Sequence, residues 1–416
     1  MHVKILYCTR IFSGIEKSIL KKKWNPTGVP TIYKLIEEFD KNLDVSFIFC
    51  DKGSNCNHLS EWKGLKNERI FLEGIKSEVF VLSSGGKFVS KLPRKIRNIY
   101  RELSHLIFTL IEIKKKNPEI VYFDHANSIT AAFVSRFTKI KVVYRLMGIY
   151  PSMRNCLNSF SLKNIFYRWC YSSPFNLVIC TQDGSGVEPW LKKALSKKTN
   201  IEVLLNGVDK NFPNTSQTLI NEYFGKLPKD KKTITFIGKL EKYKGCHEFV
   251  DAMIEVNKIH DKTVHSLIIG YGNEFDEIFT KIRSNNQLHK FTFIKRLPHQ
   301  LIHFAHKYSH VYISMNYLGN LSNSNLEAIR NEQCIILPQP DNKTGIDTIT
   351  YKILKDSVFW VKRDNANDVI EKVLMIINSD EIRKEKVLKI RSVSEKYLLS
   401  WRERINKEIS LINNLQ

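Results

Sequence analysis

The sequence predicts an α/β protein made of two doubly wound parallel-sheet domains. Apolar, β-branched runs alternate with helical patterns along most of the 416 residues. This alternation is typical of parallel sheets that carry helices on both faces. A polar segment at 209–231 divides the alternation into two halves. A chain of this length is sufficient for two separate hydrophobic cores, one in each half.

The first half, residues 1–208, is predicted to form the N-terminal domain. Its predicted helices are VPTIYKLIEEFDKNL, with Pro30 near its first turn, a long basic helix within 87–116 and a helix around 129–137. Its predicted strands are VKILYC, DVSFIFC, SEVFVL, EIVYFD, KVVYRL, NLVICT and IEVLLNGV. Ligands of parallel sheets bind beyond the carboxyl ends of the strands. The polar or glycine positions at that edge are Gly28, Asp124, His125, Arg145, Gly148 and Thr181.

The second half, residues 232–395, is predicted to form a second domain of the same type, joined to the first by an interdomain connection at 209–231. Its predicted strands are TITFIG, HSLIIG, FTFIK, HVYISM, CIILP and SVFWV, with helices between them. The chain ends in SVSEKYLLSWRERINKEISLINNL, which is predicted to be one long helix because its apolar residues recur near helical spacing. Residues 396–416, the last part of this stretch, are predicted to form a C-terminal helix separate from the second domain.

The charge of the chain indicates an anionic partner. Lys and Arg number 65 against 42 Asp and Glu, which gives a formal net charge of +23. No zinc finger, basic zipper or RNA-recognition signature is present, so a nucleic-acid partner is not predicted. A membrane surface is favoured instead, because basic residues lead into an apolar helical stripe within 87–116, although a solvated basic face is the alternative. Those residues are Lys87, Lys91, Arg94, Lys95, Arg97, Arg101, Lys114, Lys115 and Lys116.

The sequence predicts a cytoplasmic protein with neither a metal nor disulfides. No segment approaches the roughly 20 uncharged apolar residues that span a bilayer, and the N-terminus reads as a strand, without a cleavage site. The eight cysteines form no CxxC pair and no set at zinc spacing, so reduced core thiols are expected. They are Cys8, Cys50, Cys56, Cys156, Cys170, Cys180, Cys246 and Cys334.

The segment TITFIGKLEKYKGCHE, residues 233–248, has the pattern of an anion site. A buried strand leads through Gly238 to Lys239 and Lys244, and Gly245 closes the turn before a helix. A diphosphate there would meet two ammonium groups, and each charge-assisted hydrogen bond is worth about 1.5–3 kcal/mol. An ordinary strand-to-helix turn with solvated lysines is the alternative reading.

A second strand, polar loop and helix follow downstream in HVYISMNYLGNLSNSNLEAIR. The loop from Gly319 to Asn325 is rich in Gly, Asn and Ser, which cap helices and accept unusual backbone angles. Glu327 lies in the predicted first turn of the helix, where it favours the helix dipole without any ligand. The same carboxylate is able to accept hydrogen bonds from a sugar diol, so both readings stay open.

These two segments, with NGVD at 206–209 before them, resemble glycosyltransferase family 4 over nearly the whole chain. The resemblance implies a GT-B fold, in which two Rossmann-like domains face a cleft and the C-terminal helix crosses back to the first domain. It also implies a nucleotide-diphosphate sugar as donor, no cofactor, no metal and retention of anomeric configuration. Lys239 stands where most members have Arg. Gly319 takes the place of the first glutamate of the family's Glu-x7-Glu motif, the residue that usually helps to hold the transferred sugar.

The resemblance also assigns roles to individual residues. Catalytic roles fall to His125, Lys239 and Lys244. Independently of the resemblance, the position of Asp124 beside His125 suits it to orient the imidazole ring. The donor-binding set is Gly28, Gly238, Gly270, Gly272, Leu297, Asn320, Ser322, Asn323, Ser324, Asn325, Leu326 and Glu327. Acceptor-side candidates are Asp124, Arg145 and Gly148, with Met147 standing where relatives commonly have histidine.

The resulting hypothesis is a retaining glycosyltransferase that extends a glycan or a lipid-linked acceptor in cell-surface polysaccharide synthesis. The basic helix predicts a peripheral position on the inner face of the cell membrane. A glycogen-type synthase or a phosphorylase on the same fold is the alternative among enzymes. A non-catalytic polyanion-binding protein is the alternative from another class. A dinucleotide enzyme is disfavoured because IIGYGNEF has Gly270 and Gly272 but no third glycine.

Overall fold

The chain folds into two compact α/β units. The computed structural model describes residues 3–12, 14–53, 66–86, 89, 91–210, 215–260 and 262–415; Cys56 and Lys87 lie outside them. The first unit contains residues 1–181, 188–204 and 401–416, and the second contains 182–187 and 205–400. Among the described residues no helix is both long enough and apolar enough to span a bilayer.

The first unit is built on a sheet with the strand order β3-β4-β2-β1-β5-β6-β7-β8, parallel except for the β3–β4 pair. Its strands are β1 (Lys4–Arg10), β2 (Asp44–Cys50), β3 (Glu68–Ile70), β4 (Val79–Leu82), β5 (Ile120–Asp124), β6 (Lys141–Leu146), β7 (Leu177–Thr181) and β8 (Asn200–Leu204). Its helices are α1 (Glu16–Lys21), α2 (Pro30–Asn42), α3 (Arg94–Lys116), α4 (Ser128–Phe137), α5 (Pro151–Asn158), α6 (Leu162–Tyr171), α7 (Val187–Ala194) and, at the end of the chain, α16 (Trp401–Asn413).

The register of this sheet places several sequence-predicted positions at one edge. Asp124 at the end of β5 pairs with Arg145 in β6, and Cys8 in β1 pairs with Phe123 in β5. Strands in the centre of a parallel sheet are covered on both faces and are therefore almost wholly apolar. Among the described strands of this sheet, β3 is the one that the sequence analysis missed, because it is three residues long and too short to show a period.

The second unit is built on a parallel sheet with the order β11-β10-β9-β12-β13-β14. Its strands are β9 (Lys232–Ile237), β10 (Val264–Ile269), β11 (Phe291–Ile294), β12 (Val311–Ile313), β13 (Ile335–Pro338) and β14 (Phe359–Val361). Its helices are α8 (Gln217–Phe224), α9 (Cys246–Ile259), α10 (Phe275–Ser284), α11 (Ile302–Tyr308), α12 (Asn323–Arg330), α13 (Thr348–Leu354), α14 (Ala366–Asn378) and α15 (Asp380–Tyr397).

The segment predicted as a connection at 209–231 is largely part of the second unit. It contains α8, whose N-cap Ser216 accepts a hydrogen bond from the Leu219 backbone. Ile220 and Phe224 on this helix pack with Leu267 and Leu301 in a buried cluster. The sequence analysis did not predict this helix because the segment is mostly polar and only one narrow face of the helix is apolar.

The end of the chain also differs from the prediction of a single helix. Helix α15 ends at Tyr397, and Leu398 adopts extended backbone angles before α16 begins at Trp401. Leu398 is buried in the second unit, whereas Trp401, Ile405 and Ile412 are buried in the core of the first. Because the helix breaks here, the apolar residues before the break pack in the core of the second unit and those after it pack in the core of the first. Helix α16 belongs to the first unit, as the resemblance implies.

Candidate functional site

The turn after β9 carries the two lysines that the sequence singled out. Lys239 is exposed, and Lys244 is half-buried at the end of a short 3-10 helix, Lys242–Lys244. Gly245 then adopts a left-handed φ of 72° and lies against Met315, where a Cβ would come within 2.3 Å of the Met315 Cβ. Only glycine fits this junction. Helix α9 begins at the next residue, with Gly245 as its N-cap, so the N-terminus of the helix lies at the end of the lysine turn.

Burial and two neighbouring charges act on the pKa of Lys244. Burial lowers the pKa of Lys244, the Asp183 carboxylate opposes this shift, and the neighbouring positive charge of Lys239 lowers the pKa further. Two ammonium groups that repel each other are stabilised when an anion neutralises both. Asp183 was not among the sequence-predicted site residues, because nothing in its local sequence shows that it folds against this turn.

The loop at Gly270 and Gly272 packs directly on the lysine turn. Gly270 has φ of 140°, and a Cβ on it would lie 1.9 Å from the Gly238 carbonyl oxygen. A Cβ on Gly272 would lie 2.3 Å from the Leu240 carbonyl oxygen. Both glycines are thus explained by close backbone approach, which fixes the position of the turn. Leu297 packs in the apolar cluster beside α11, so its side chain supports the fold.

The polar loop before α12 forms a buried hydrogen-bond network. Asn320 is fully buried; its backbone N–H donates to Asp347 Oδ1 and its Nδ2 to Asp347 Oδ2, each at 2.7 Å. Asn325 Nδ2 donates to Ser314 and to Asn320, while Tyr312 donates to Asn325.

These partners change the interpretation of three predicted donor-binding residues. The side chains of Asn320 and Asn325 form their hydrogen bonds within the loop and its neighbours, and Leu326 is completely buried in the core. A polar group that already has buried partners loses them if it turns to a ligand. We therefore assign these three side chains to support of the loop instead of direct donor contact.

The remaining predicted residues of this loop lie at its surface. Ser322 and Ser324 share a hydrogen bond between their hydroxyls, and Asn323 accepts one from Asn206, which is part of the NGVD sequence. Glu327 is half-buried and its Oε1 lies 2.8 Å from His299 Nε2. His299 was missed in the sequence, because only the fold brings its short 3-10 helix beside α12.

In the first unit, His125 follows β5 and begins a 3-10 helix, His125–Asn127. Its Nε2 is buried without a hydrogen-bond partner, and burial lowers the pKa of His125 to about 4. The ring lies 5.6 Å from that of Tyr150 and stacks toward Tyr171 at 6.5 Å. The imidazole is therefore neutral at physiological pH, with one nitrogen able to serve a bound hydroxyl group.

Asp124 has a different role from the one expected. Its Oδ2 accepts hydrogen bonds from the Thr9 hydroxyl and the Arg10 backbone, and its Oδ1 accepts one from Asn127 Nδ2. These bonds tie β1 to β5 and to the short helix that follows, and none of them goes to His125. Asp124 thus positions the backbone of His125 instead of orienting its ring.

His125 lines a cavity of about 440 Å³ in the first unit. Helices α3, α4, α5 and α6 contribute the other walls, which combine polar and apolar surface. The lining residues besides His125 are Glu102, Ala126, Ser128, Ile129, Ser152, Asn155, Cys156, Lys163, Asn164, Tyr167 and Tyr171. Amide, hydroxyl and aromatic groups together suit a hydroxylated ring such as a sugar. Apart from His125, sequence analysis found none of these residues, because they come from four separate helices.

Arg145 is a core residue and not an exposed acceptor ligand. Its guanidinium donates to Leu146 O, Ile179 O and Thr181 Oγ1, and its Nε lies 3.5 Å from Glu408 on α16. Arg404 also pairs with Glu408. Burial raises the pKa of Glu408, but Arg145 and Arg404 reverse the shift and hold that pKa below its usual range. The charge cluster binds the last helix to the first unit.

The two remaining glycine candidates lie in loops of the first unit. Gly28 is exposed with φ of 98°, two residues before α2, and Gly148 is buried with φ of 86° after β6. Both positions favour glycine on backbone grounds alone. Their contact with a donor or an acceptor stays a prediction.

One group of potential metal ligands occurs among the described residues, formed by His247, Glu274 and Glu277. His247 Nε2 lies 2.6 Å from Glu274, and its Nδ1 lies 4.0 Å from the largely exposed Glu277. A direct hydrogen bond between the ring and Glu274 accounts for this arrangement without an ion.

Comparison with known proteins identifies the fold and matches part of the sequence to a protein family. Residues 220–390 match the family described as "Glycosyl transferases group 1". Sucrose-phosphate synthase from Thermosynechococcus elongatus has a similar structure, with a TM-score of 0.72 at 13% identity over 99% of both chains. HepE of Anabaena in complex with UDP-glucose has a TM-score of 0.68 at 15% identity over 100% of both chains.

The fold is GT-B. This confirms the predicted architecture and the resemblance to glycosyltransferases, whereas membership of family 4 stays a prediction. An uncharacterized glycosyltransferase of Methanocaldococcus jannaschii is 24% identical over 204 residues, 46% of this chain and 50% of the relative. The match thus spans about half the length of that relative. Within this GT-B chain, Lys239, Lys244 and Glu327 all fall inside the segment that matches the family.

Proposed function

We propose that this protein is a retaining, metal-independent glycosyltransferase that uses a nucleotide-diphosphate sugar. The observation that carries the proposal is the lysine turn at the N-terminus of α9, in the segment that matches group 1 glycosyl transferases. Cleavage of a sugar from a diphosphate builds negative charge on the leaving phosphate. Lys239, Lys244 and the positive end of the helix dipole at the N-terminus of α9 stabilise such charge.

The donor is proposed to be a UDP-sugar. HepE of Anabaena, which has a similar fold, has been solved with UDP and with UDP-glucose. Glu327 is proposed to accept hydrogen bonds from the ribose hydroxyls, since its carboxylate lies at the surface of α12 beside His299. The ribose is unchanged by the reaction, so this contact contributes equally to binding before and during transfer.

The cavity at His125 is proposed to receive the acceptor, a glycan or the sugar part of a glycolipid in cell-surface polysaccharide synthesis. During transfer the bond from the anomeric carbon to the phosphate oxygen breaks, and a bond to the acceptor oxygen forms on the same face. The departing phosphate takes the proton of the acceptor hydroxyl. The neutral imidazole of His125 is suited to position a hydroxyl group by hydrogen bonding.

Helix α3 supports a position at a membrane surface. It buries His105, Thr109, Glu112 and Ile113, whereas seven large apolar side chains are between 39 and 61% exposed. Three of the four buried residues are thus polar, which departs from the usual amphipathic pattern. They are Ile96, Ile99, Tyr100, Leu103, Ile107, Leu110 and Ile111. We call them the apolar stripe.

Positive charge accompanies the apolar stripe. We call Lys91, Arg94, Lys95 and Arg97 the basic cluster; all but the half-buried Arg97 are exposed. Arg101, by contrast, donates to Lys52 O and pairs with Glu102, so it belongs to the fold instead of the surface charge. An apolar face beside basic residues is complementary to anionic lipid. We therefore propose that α3 docks on the inner face of the cell membrane.

A ligand screen by thermal shift tests the donor assignment. UDP, ADP, GDP and TDP are added separately to the purified protein, and the midpoint of unfolding is measured. A ligand at a hundred times its dissociation constant adds about 2.7 kcal/mol to the free energy of unfolding. We expect UDP to give the largest increase. If no nucleoside diphosphate stabilises the protein, and RNA binds in a salt-sensitive manner, the polyanion-binding alternative replaces this proposal.

A further inference from the structure

One segment of the first unit carries positive charge without any negative charge. Residues 125–182, which include α4, α5 and α6, contain seven Lys and Arg but no Asp or Glu, although the whole chain has 42 acidic residues in 416. Lys139 and Lys163 are exposed and Arg168 is half-buried. In the part of the chain that the structure describes, none of these three forms an ion pair with a carboxylate. The surface of these helices therefore attracts anions.

Helix α6 has an exposed apolar face. Leu162, Ile165 and Phe166 are spaced by one helical turn and are 87, 46 and 39% exposed. Phe160 just before the helix is 81% exposed, and Phe137 at the end of α4 is 71% exposed. We call these five residues the α6 patch. Exposed apolar side chains grouped in this way mark an interaction surface.

Aromatic contacts join the α6 patch across the two helices. The ring of Phe166 stacks on that of Trp169 with centroids 5.8 Å apart. Trp169 meets Phe133 of α4 edge to face at 5.2 Å. Phe133 in turn lies 5.7 Å from Phe137. The apolar residues of α4 and α6 thus form one continuous surface.

Cationic groups are part of this surface. The Arg136 guanidinium lies 4.6 Å from the centre of the Trp169 ring, and that of Arg168 lies 4.9 Å from the centre of the Phe160 ring. Aromatic rings beside basic residues suit the boundary of a bilayer, where hydrocarbon meets anionic headgroups. A second copy of the same face would bring positive charge against positive charge, so anionic lipid is the better match.

The other face of α6 lines the cavity that contains His125. Lys163, Asn164 and Tyr167 contribute to that wall, and at 100° per residue they lie on the side away from the α6 patch. Glu102 of α3, the acidic residue of the lining, is already held in ion pairs with two basic residues. Helix α6 therefore separates the cavity from the exposed apolar face by about 10 Å, the diameter of a helix.

We propose that the α6 patch inserts into the surface of an anionic membrane, with Lys139, Lys163 and Arg168 facing the lipid phosphates. This contact is separate from that of α3, since its residues belong to α4, α6 and the turn before α6. For the role of the cavity it rests on the proposed function. An acceptor sugar bound beside His125 then lies about one helix diameter from the lipid, the position required for a sugar that a membrane lipid carries.

Sedimentation with phosphatidylglycerol vesicles tests the inference. The patch variant is Phe160→Ser with Leu162→Ser, because these two side chains are the most exposed of the patch and the fold does not depend on them. The matched control is Ile259→Ser with Leu388→Ser, at 60 and 59% exposure in the second unit. We expect the patch variant to bind at least about tenfold more weakly than wild type, and the control to bind as wild type does.

A second arm at high salt separates insertion from electrostatic attraction. In 0.5 M sodium chloride, exposed charges are screened beyond about 4 Å, whereas apolar insertion persists. We expect the patch variant to retain less binding at this salt concentration than the glutamine variant of the basic cluster.

Equal vesicle binding by wild type and patch variant, or equal loss in the control, overturns the inference. A wild type that binds no vesicles overturns it too, and self-association that the patch variant abolishes would then identify a second copy as the occupant. Thermal shift with UDP is measured on wild type and patch variant in parallel. Failure of UDP to stabilise either one counts against the proposed donor and leaves the vesicle result as it is.

Discussion

Replacement of Lys244 by alanine is the most direct test of the lysine turn. The side chain is half-buried, and burial lowers its pKa, so its charge acts in a medium of lower polarity than water. Two unit charges 4 Å apart interact by about 4 kcal/mol at an effective dielectric constant of 20, against about 1 kcal/mol in water. Loss of one such preorganised group lowers turnover by about 100- to 1000-fold. We expect Lys244→Ala to fall in that range.

Lys239→Ala should have a smaller effect because Lys239 is exposed. In a solvent-exposed setting, the attraction between this ammonium group and a phosphate charge is about 1 kcal/mol. Losing that attraction corresponds to a roughly five- to tenfold lower rate. Release of UDP is measured at saturating UDP-sugar, with the sugar chosen by titration of the wild type, and circular dichroism verifies the fold. Lys258→Ala is the matched control, since Lys258 lies near the far end of α9 and pairs only at the surface with Glu255. A wild-type rate in Lys244→Ala would refute the diphosphate assignment.

Glu327→Gln should raise the dissociation constant for UDP with little change in kcat, because the ribose contact is uniform binding; unchanged UDP affinity in a titration contradicts this role. His125 should not produce a loss of activity between pH 8 and pH 5, since its pKa is about 4 and the ring is already neutral there; a pH–rate profile of wild type against His125→Gln measures this. Glu408→Gln should lower the free energy of unfolding by about 3–5 kcal/mol by leaving the Arg145 charge buried without its partner. Because the pKa of Glu408 is lowered in the fold, that difference should persist at neutral pH and shrink as the pH falls below the usual glutamate range; denaturant titrations at two pH values detect it. The protein should sediment with phosphatidylglycerol vesicles and far less with neutral vesicles. Replacing all four residues of the basic cluster with glutamine should remove most of this binding, since each basic residue contributes about 1 kcal/mol. Equal sedimentation of wild type and variant would show that the cluster is only a solvated face.

Much of the architecture was predictable because it depends on patterns of hydrophobicity within short segments of the chain. Parallel strands buried on both faces need continuous apolar runs, and each of the strands predicted from such a run is present in the structure. The lysine turn was predictable for the same reason. A strand, a glycine, two lysines and a helix start lie within one short segment, so no distant residue was needed to place them.

Polar side chains were harder to interpret, because their roles depend on partners that the sequence does not reveal. Asn320 and Asn325 look like ligands in a helix-capping loop, but the fold surrounds them with Ser314 and Asp347. Arg145 follows a strand toward the ligand edge, yet Glu408 from the last helix reaches it in the core. A buried polar group must find hydrogen-bond partners, and chain topology decides which residues these are.

The sequence by itself determined the two α/β units, the turn that carries Lys239 and Lys244 between a strand and a helix, and the basic character of α3. Periodicity and local turn chemistry encode these features within a few residues of one another. Only the tertiary structure decided that Asp183 joins the loop at Gly319, that α3 exposes its apolar stripe, and that the chain breaks at Leu398. These features depend on contacts between residues far apart in the chain, for which the local pattern of hydrophobicity carries no information.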